Sequence, residues 1–409
     1  MLHLFEKFGL EMEYMIVRED DFSVAPVAAE LITDLCGRPL NECAVEGSGV
    51  SNELAAHVIE LKTPQPEHDF QAIEERFNAA IRSIEAKLAA RGARLLPGPM
   101  HPLMNPARES HTWPHEGREI YSRYDSIFNC HGHGWLNLQS CHLNLPFAGD
   151  SEFARLHSAI LLLLPFMPAL TAGSPFQEGV LTGLADTRLE IYRHNQDKCP
   201  SIVGPVIPEA VFSREEYEEK ILQPIYRQIA PHDPEGILSH EWLNSRGAIA
   251  RFDRGAIEIR LLDVQECPAA DLAIAQLIIR ALRELADHPE ASLRHWAKSS
   301  PASARTAQLD EVVKTGMDAP LRLPEIRKAC GLSPETRTAG ELWRHLFQRH
   351  RNDLWEPARE TLREILRDGN LSARLTRAFH NLNAPGDFTP ILRTLAECLR
   401  NNHVFRTNY

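Results

Sequence analysis

The sequence predicts an α+β fold: a largely antiparallel sheet with helices packed on one side, followed by a C-terminal helical region. Three observations carry this. Strand-like stretches at 8–17, 57–62, 94–96, 136–146 and 247–263 are separated by helices of unequal length, unlike the regular strand-helix alternation of a doubly wound fold. Four segments alternate apolar residues with a carboxylate or an imidazole, the signature of a strand with one buried face. Beyond Asp263 the strand signals stop and only helical or coil patterns remain.

The elements follow in order. In Gly9-Leu10-Glu11-Met12-Glu13-Tyr14, successive side chains of an extended strand point to opposite faces, so Glu11 and Glu13 share one face and Leu10, Met12 and Tyr14 the other. The segment from His57 to Leu61 carries Glu60. Glu53 and Glu60 are seven apart and cannot share a face of one unbroken strand, so Glu53 must precede the strand or a bulge must intervene. The preceding Glu46-Gly47-Ser48-Gly49-Val50 supplies a turn and, lacking the Walker spacing and lysine, is a poor phosphate loop. Phe70, Ile73, Phe77, Ile81, Ile84 and Leu88 form one helical stripe that ends near Gly92. His142 pairs in parity with Asn144, and Glu258 with Arg260. Ser213 with Glu216 gives a capping-box pattern opening a second helix, and a third runs from about Asp271. Later helices are expected around 341–351, 357–367 and 390–401. Two units are expected, a catalytic α+β domain at 1–290 and a helical region at 291–409 that packs on it, with Ser299-Ser300-Pro301-Ala302-Ser303 as the most linker-like stretch.

Charge is unevenly distributed. Residues 291–409 hold 19 Lys and Arg against 13 Asp and Glu, leaving −18 on the first 290 residues of a chain with net charge −12. An acidic, strand-bearing half argues against a nucleic-acid partner. The most apolar stretch, Ala159 to Leu170, is too short for a membrane span. The N-terminus lacks the pattern of a secretory signal, and the eight cysteines form no CxxC pair, so reduced thiols in a cytoplasmic protein are expected.

If the strands pair in one sheet, its second face gathers several carboxylates, an imidazole and a guanidinium. Carboxylates desolvated together repel, and a divalent cation relieves that repulsion. Oxygen-rich ligand sets suit Mg²⁺ or Mn²⁺, which commonly serve to hold nucleotide phosphates in an acidic cleft. A zinc site built from Cys130, His131 and His133 with Cys141 and His142 is a weaker reading, because no second close cysteine pair exists. Loop residues around Met100-His101-Pro102 offer either substrate contact or a plain connection. Trp113, Tyr121 and Tyr124 offer either an amine pocket or packing.

In this order and combination the segments resemble the glutamate–cysteine ligases and related carboxylate–amine ligases, whose catalytic sheet is of the glutamine synthetase type. Gly9-Leu10-Glu11-Met12-Glu13 is similar to their opening strand; Glu53 and Glu60, followed by Leu61-Lys62-Thr63-Pro64, to a second pattern; Glu258-Ile259-Arg260 to their Glu-x-Arg strand. Ser174-Pro175-Phe176-Gln177-Glu178-Gly179 with Arg188 is similar to a further stretch. The resemblance covers about residues 5–265. It implies ATP and Mg²⁺ (or Mn²⁺) as cofactors, with Glu11, Glu13, Glu53, Glu60, His142 and Glu258 as metal ligands. It further implies that Arg260 and Arg188 act in catalysis, and that these two with Asn144 contact ATP or substrate. The reaction it implies joins the γ-carboxylate of glutamate to an amine, cysteine first among acceptors, through a γ-glutamyl phosphate. Two other functions compete: a phosphagen-type kinase on a related sheet, and a homologue that binds nucleotide or glutamate without catalysis.

Overall fold

A computed structural model describes residues 2–384 and 386–406. Among the described residues ten strands form in chain order: β1 (Gly9–Arg18), β2 (Glu42–Val45), β3 (Ser48–Asn52), β4 (Val58–Lys62), β5 (Ala93–Leu96), β6 (Ser140–Pro146), β7 (Phe176–Gln177), β8 (Val180–Leu181), β9 (Ala248–Arg251) and β10 (Ala256–Asp263). Eight of them make one sheet in the order β2-β3-β4-β1-β6-β10-β9, with β5 paired to the later half of β1, while β7 and β8 make a small hairpin. Every pairing in the sheet is antiparallel.

Parity does what the alternation predicts. Leu10, Met12, Tyr14 and Ile16 of β1 lie in one buried cluster with Val50, Ile59, Leu61, Leu143, Leu145, Ile257 and Ile259. The amphipathic helices Ala28–Cys36, Phe70–Ala89, Gly149–Leu163 and Pro268–Ala286 contribute their apolar stripes to the same cluster. Of the predicted stripe, Ile73, Phe77, Ile81, Ile84 and Leu88 are buried there and Phe70 is partly buried against the cluster.

The opposite face is divided. Its far end is apolar, where Met15, Val17 and Leu96 pack under Leu371, Leu375, Ile391, Leu392 and Leu395 of the helices Leu371–His380 and Thr389–Asn401. The near end holds the carboxylates. The C-terminal region thus covers both faces: Trp343 and Leu362 join the first cluster while the last two helices roof the second. The stretch 299–303 is not an open linker, since Ser300 is buried and the buried Arg305 donates to the Ala297 and Ser300 carbonyls.

Several local expectations are corrected. The stretch 247–263 is two strands joined by a tight turn, and β2 with β3 form a hairpin not read from the sequence. Its turn residues Glu46 and Gly47 both have positive φ, 51° and 78°, as a two-residue hairpin turn requires. The second helix begins as predicted, with Ser213 accepting from the Glu216 N–H, but the Glu216 carboxylate caps Phe212 instead of closing the box. It continues through a wider turn at 218–222 into Gln223–Ile229. Cys36 and Cys43 form a disulfide, so the expectation of eight reduced thiols holds for six. The helix Ala28–Cys36 ends at Gly37, whose φ of 74° reverses the chain toward β2 and brings the two thiols together.

Candidate functional site

Register builds the site. Glu11 of β1 lies opposite His142 of β6 and Lys62 of β4, and Glu13 lies opposite Glu60. Glu258 of β10 lies opposite Asn144, and Ser51 of β3 opposite Glu60. Gly9 also faces Asn144, where a Cβ would come 3.3 Å from the asparagine Cβ. Between Ile259 and Leu262 the β10 register slips against β6, setting Arg260 and Leu261 against His142 alone. Such a bulge bends the strand and re-aims its side chains.

The polar groups interlock. His142 Nδ1 is 3.0 Å from Glu11 Oε2 and 3.8 Å from Glu258 Oε1, while its Nε2 is 2.8 Å from Ser140 Oγ. Glu13 accepts from the Ser140 N–H at 2.7 Å, and Asn144 donates its amide to Glu11 at 3.1 Å. Arg260 lies along Glu258 at 2.6 and 2.9 Å. Glu60 accepts from Ser51 Oγ and from Lys62 Nζ at 3.0 Å each, and Lys62 reaches Glu42 at 2.9 Å.

Electrostatics follow from burial and pairing. Burial raises the Glu11 carboxyl, but the His142 hydrogen bond and the His142, Lys62 and Arg260 charges outweigh it and bring it down to about 2. His142 is lowered by burial but raised more by Glu11, Glu258 and Glu13, to about 9. Burial and the Glu11 charge push Glu60 up to about 7 against the pull of Lys62. Glu53 is pushed well above the carboxylate range by burial and by the charges of Glu13, Glu60 and Glu11. Carboxylates so placed repel one another, and a divalent cation is the natural counter-charge.

Among the described residues, Glu11, Glu60 and His142 place ligand atoms within 4.8 Å of one another. No other group of three or more such residues is gathered among the described residues, so Cys130, His131 and His133 do not build a zinc site with Cys141. Cys141 points to the opposite, buried face toward Asp271, as strand parity demands.

A cavity of about 250 Å³ opens beside this cluster, bordered by Glu13, Glu53, Ser140, His142, Arg188 and Arg260. Glu53 lies after β3 and before β4, which satisfies the parity objection. Aromatic side chains close the other wall: Tyr121, Tyr124, Trp135, Tyr192 and Trp242. Trp113 is buried away from the cavity lining. A larger cavity of about 570 Å³ lies between Leu181–Ala185 and the C-terminal helices, and none of the site carboxylates borders it.

Arg188, on the short helix Thr187–Tyr192, has its guanidinium held from below. It pairs with Asp263 at 3.1 Å and donates to the Leu261 and Arg260 carbonyls, which lie on the bulge. Ser174 Oγ bridges toward Asp263, Asp186 and the Arg188 N–H, which ties the Ser-Pro stretch to the same knot. His101 is a structural residue: it is buried, with Nε2 at the Phe22 carbonyl and Nδ1 accepting from Leu103 and Met104. Lys62 and Ser140 were overlooked in the sequence although parity alone puts them on the acidic face. Trp135, Tyr192 and Trp242 carried no sequence signal, since three separate short helical turns bring them to the cavity.

This antiparallel sheet, with one end of one face lined by carboxylates beside a cavity edged with arginine, is similar in fold to two solved ligases. A glutamate–cysteine ligase from Francisella tularensis solved with AMP superposes with TM-score 0.60 over 96% of this chain and 88% of that one, at 12% identity. A bifunctional glutathione synthetase from Pasteurella multocida gives 0.55 over 91% of this chain at 14% identity, and the present chain spans about half (52%) of its length. Residues 7–393 match glutamate-cysteine ligase family 2, and the chain belongs to that family. It is 31% identical over 397 residues to an uncharacterised protein of Archaeoglobus fulgidus, covering 97% of this chain and 99% of that one. A glutamate–cysteine ligase of Haloquadratum walsbyi is 23% identical over 279 residues, 66% of this chain and 68% of its own.

Proposed function

We propose that this chain is an ATP-dependent ligase that joins the γ-carboxylate of glutamate to an amine through a γ-glutamyl phosphate. The observation that carries the reading is the cluster of Glu11, Glu60 and His142 beside the Glu258–Arg260 pair, of which His142 and Arg260 border one cavity. Their donor set of carboxylate oxygens with one imidazole fits Mg²⁺ or Mn²⁺. Glu11, Glu60 and His142 would hold one ion, with Glu13, Glu53 and Glu258 near enough by charge to share others. Such ions neutralise the phosphate charge that an acidic face would otherwise repel.

The chain's own residues would then align the reactants. The γ-carboxylate oxygen attacks the terminal phosphorus of ATP in line and ADP leaves. The amine nitrogen next attacks the acyl carbon, phosphate departs with the former carboxylate oxygen, and the nitrogen sheds its proton. Arg260 stays charged and offers a planar fork to phosphate or carboxylate oxygens. Arg188 supports it from behind by fixing the bulge carbonyls, and Asn144 orients Glu11. The aromatic wall keeps water from the acyl phosphate.

We assign the apparatus to residues 1–290, with the last two helices of 291–409 roofing the far end of the face. Among the described residues no helix is long and apolar enough to cross a membrane. A reaction that draws on ATP and glutamate fits the cytoplasm, against which only the Cys36–Cys43 bond pulls. Cysteine, the acceptor in the family's name, is the reference substrate. The test is ADP release in the presence of Mg²⁺, glutamate and an amine panel, with the γ-glutamyl amide identified by mass. Release without any amine together with a phosphorylated product favours the kinase reading, and no release favours the binding protein. Membership of a ligase family disfavours both.

A further inference from the structure

We propose that the larger cavity, about 570 Å³ between Leu181–Ala185 and the C-terminal helices, is a second binding site that takes a small molecule bearing two or more phosphate or carboxylate groups. The first ground is uncompensated positive charge. Lys314, Arg344 and Arg377 come from three separate helices, Ala302–Thr315, Ala339–His350 and Leu371–His380, and all border the cavity. Among the described residues none of the three forms an ion pair, whereas Arg367 on the same border is paired with Asp368 at 2.7 and 2.8 Å. Lys314 also has no hydrogen-bond partner for its ammonium among the described residues. Arg344 and Arg377 donate to the Leu366 and Asp368 carbonyls, which leaves both positive charges without a carboxylate partner. With the Arg367–Asp368 pair set aside, Asp318 is the one carboxylate on the border to oppose these three cations.

The second ground is a hydroxyl. Ser372 borders the cavity and is 3% exposed, and its N–H donates to the Ala172 carbonyl at 2.8 Å, yet its Oγ has no hydrogen-bond partner among the described residues. Enclosed on its other sides, that hydroxyl has only the cavity from which to draw an acceptor, and an oxyanion is a strong one. Ser372 stands in the first turn of Leu371–His380, where the positive end of the helix dipole adds to the field of the three cations. Guanidinium forks on two helices suit the oxygens of phosphate and carboxylate alike. The volume is that of a small-molecule site.

Titration calorimetry of the full chain with pyrophosphate and with citrate, in EDTA, tests this. With no divalent ion the carboxylate-lined cavity favours neither probe, and Arg260→Gln controls for it. Saturable binding is expected, and the tighter of the two probes tells whether the site prefers phosphate or carboxylate groups. Lys314→Gln and Arg377→Gln should each weaken that probe about tenfold, the worth of a hydrogen bond to a charged group, and Ser372→Ala by less. Lys314→Gln removes no contact of the fold, so its effect is not one of lost structure. Arg363→Gln, on the neighbouring helix Glu356–Asp368 but off the cavity border, should leave binding unchanged. No binding of either probe, an equal loss in Arg363→Gln, or loss in Arg260→Gln with retention in Lys314→Gln overturns the inference. None of these outcomes depends on turnover, so this proposal and the ligase reading fail separately.

Discussion

Glu11 and His142 face each other across β1 and β6, and their side chains meet at 3.0 Å on the one part of the sheet's second face that the C-terminal helices leave uncovered. Their pairing is mutual: the carboxyl is brought down to about 2 and the imidazole raised to about 9. Around this pair Glu13, Glu60 and Glu258 are arranged by strand register, and Glu53 by the connection between β3 and β4.

Glu258→Ala should abolish ADP release, by more than a hundredfold, because Arg260 loses the carboxylate oxygen that takes two of its N–H groups and His142 one of its flanking charges. Arg260→Lys should also be costly, since an ammonium cannot reproduce the planar fork. Circular dichroism on both variants separates lost chemistry from lost fold, and near-normal turnover in either removes that residue from the site.

Arg188→Leu should destabilise the protein by about 3–5 kcal/mol, the range for breaking a buried pair by removing one partner. Asp263 is fully buried and would be left without its counter-charge. Denaturant unfolding of Arg188→Leu, Asp263→Asn and the double variant checks it. The double variant is expected to recover part of the loss, and additive effects would show that the two do not interact.

Mg²⁺ or Mn²⁺ should raise the melting temperature in the absence of nucleotide, because a ligand bound only by the folded state stabilises it. Glu60→Gln should weaken or remove that rise and activity together, since it alters one of the three gathered ligands. A metal-induced shift of the same size in the variant would place the ion elsewhere.

His157 gives stability a pH dependence. It is buried, its Nδ1–H donates to the Val211 carbonyl, and burial holds its pKa down to about 4 against an ordinary 6.5. The unfolded chain therefore takes up a proton that the folded one refuses. The associated stability is fully present above about pH 6.5 and declines as pH falls toward 4, by about 3 kcal/mol at 1.4 kcal/mol per unit. Urea unfolding between pH 7 and 4 should show this slope, flattened in His157→Gln.

Strand parity was the most legible part of the chain. It placed Glu11, Glu13, Glu60, His142, Asn144, Glu258 and Arg260 on one face without knowledge of strand order. It also held Lys62 and Ser140, which were overlooked because neither stands out among carboxylates. The β2–β3 hairpin was hidden because Cys43 and Ala44 give almost no alternation, and its turn is signalled only by Gly47. The wall of Trp135 and Trp242 comes from residues more than a hundred positions apart, which no local pattern records. Nor did the basic tail disclose that its last two helices pack on the same face as the carboxylates, since a solvated stripe and a roof share one periodicity.

The central claim is that the γ-carboxylate of glutamate is phosphorylated before the amine attacks. Glutamate labelled with ¹⁸O in that carboxylate, incubated with Mg²⁺, ATP and an accepted amine, tests it most directly. One labelled oxygen should appear in each inorganic phosphate released, in step with the γ-glutamyl amide; unlabelled phosphate would contradict it.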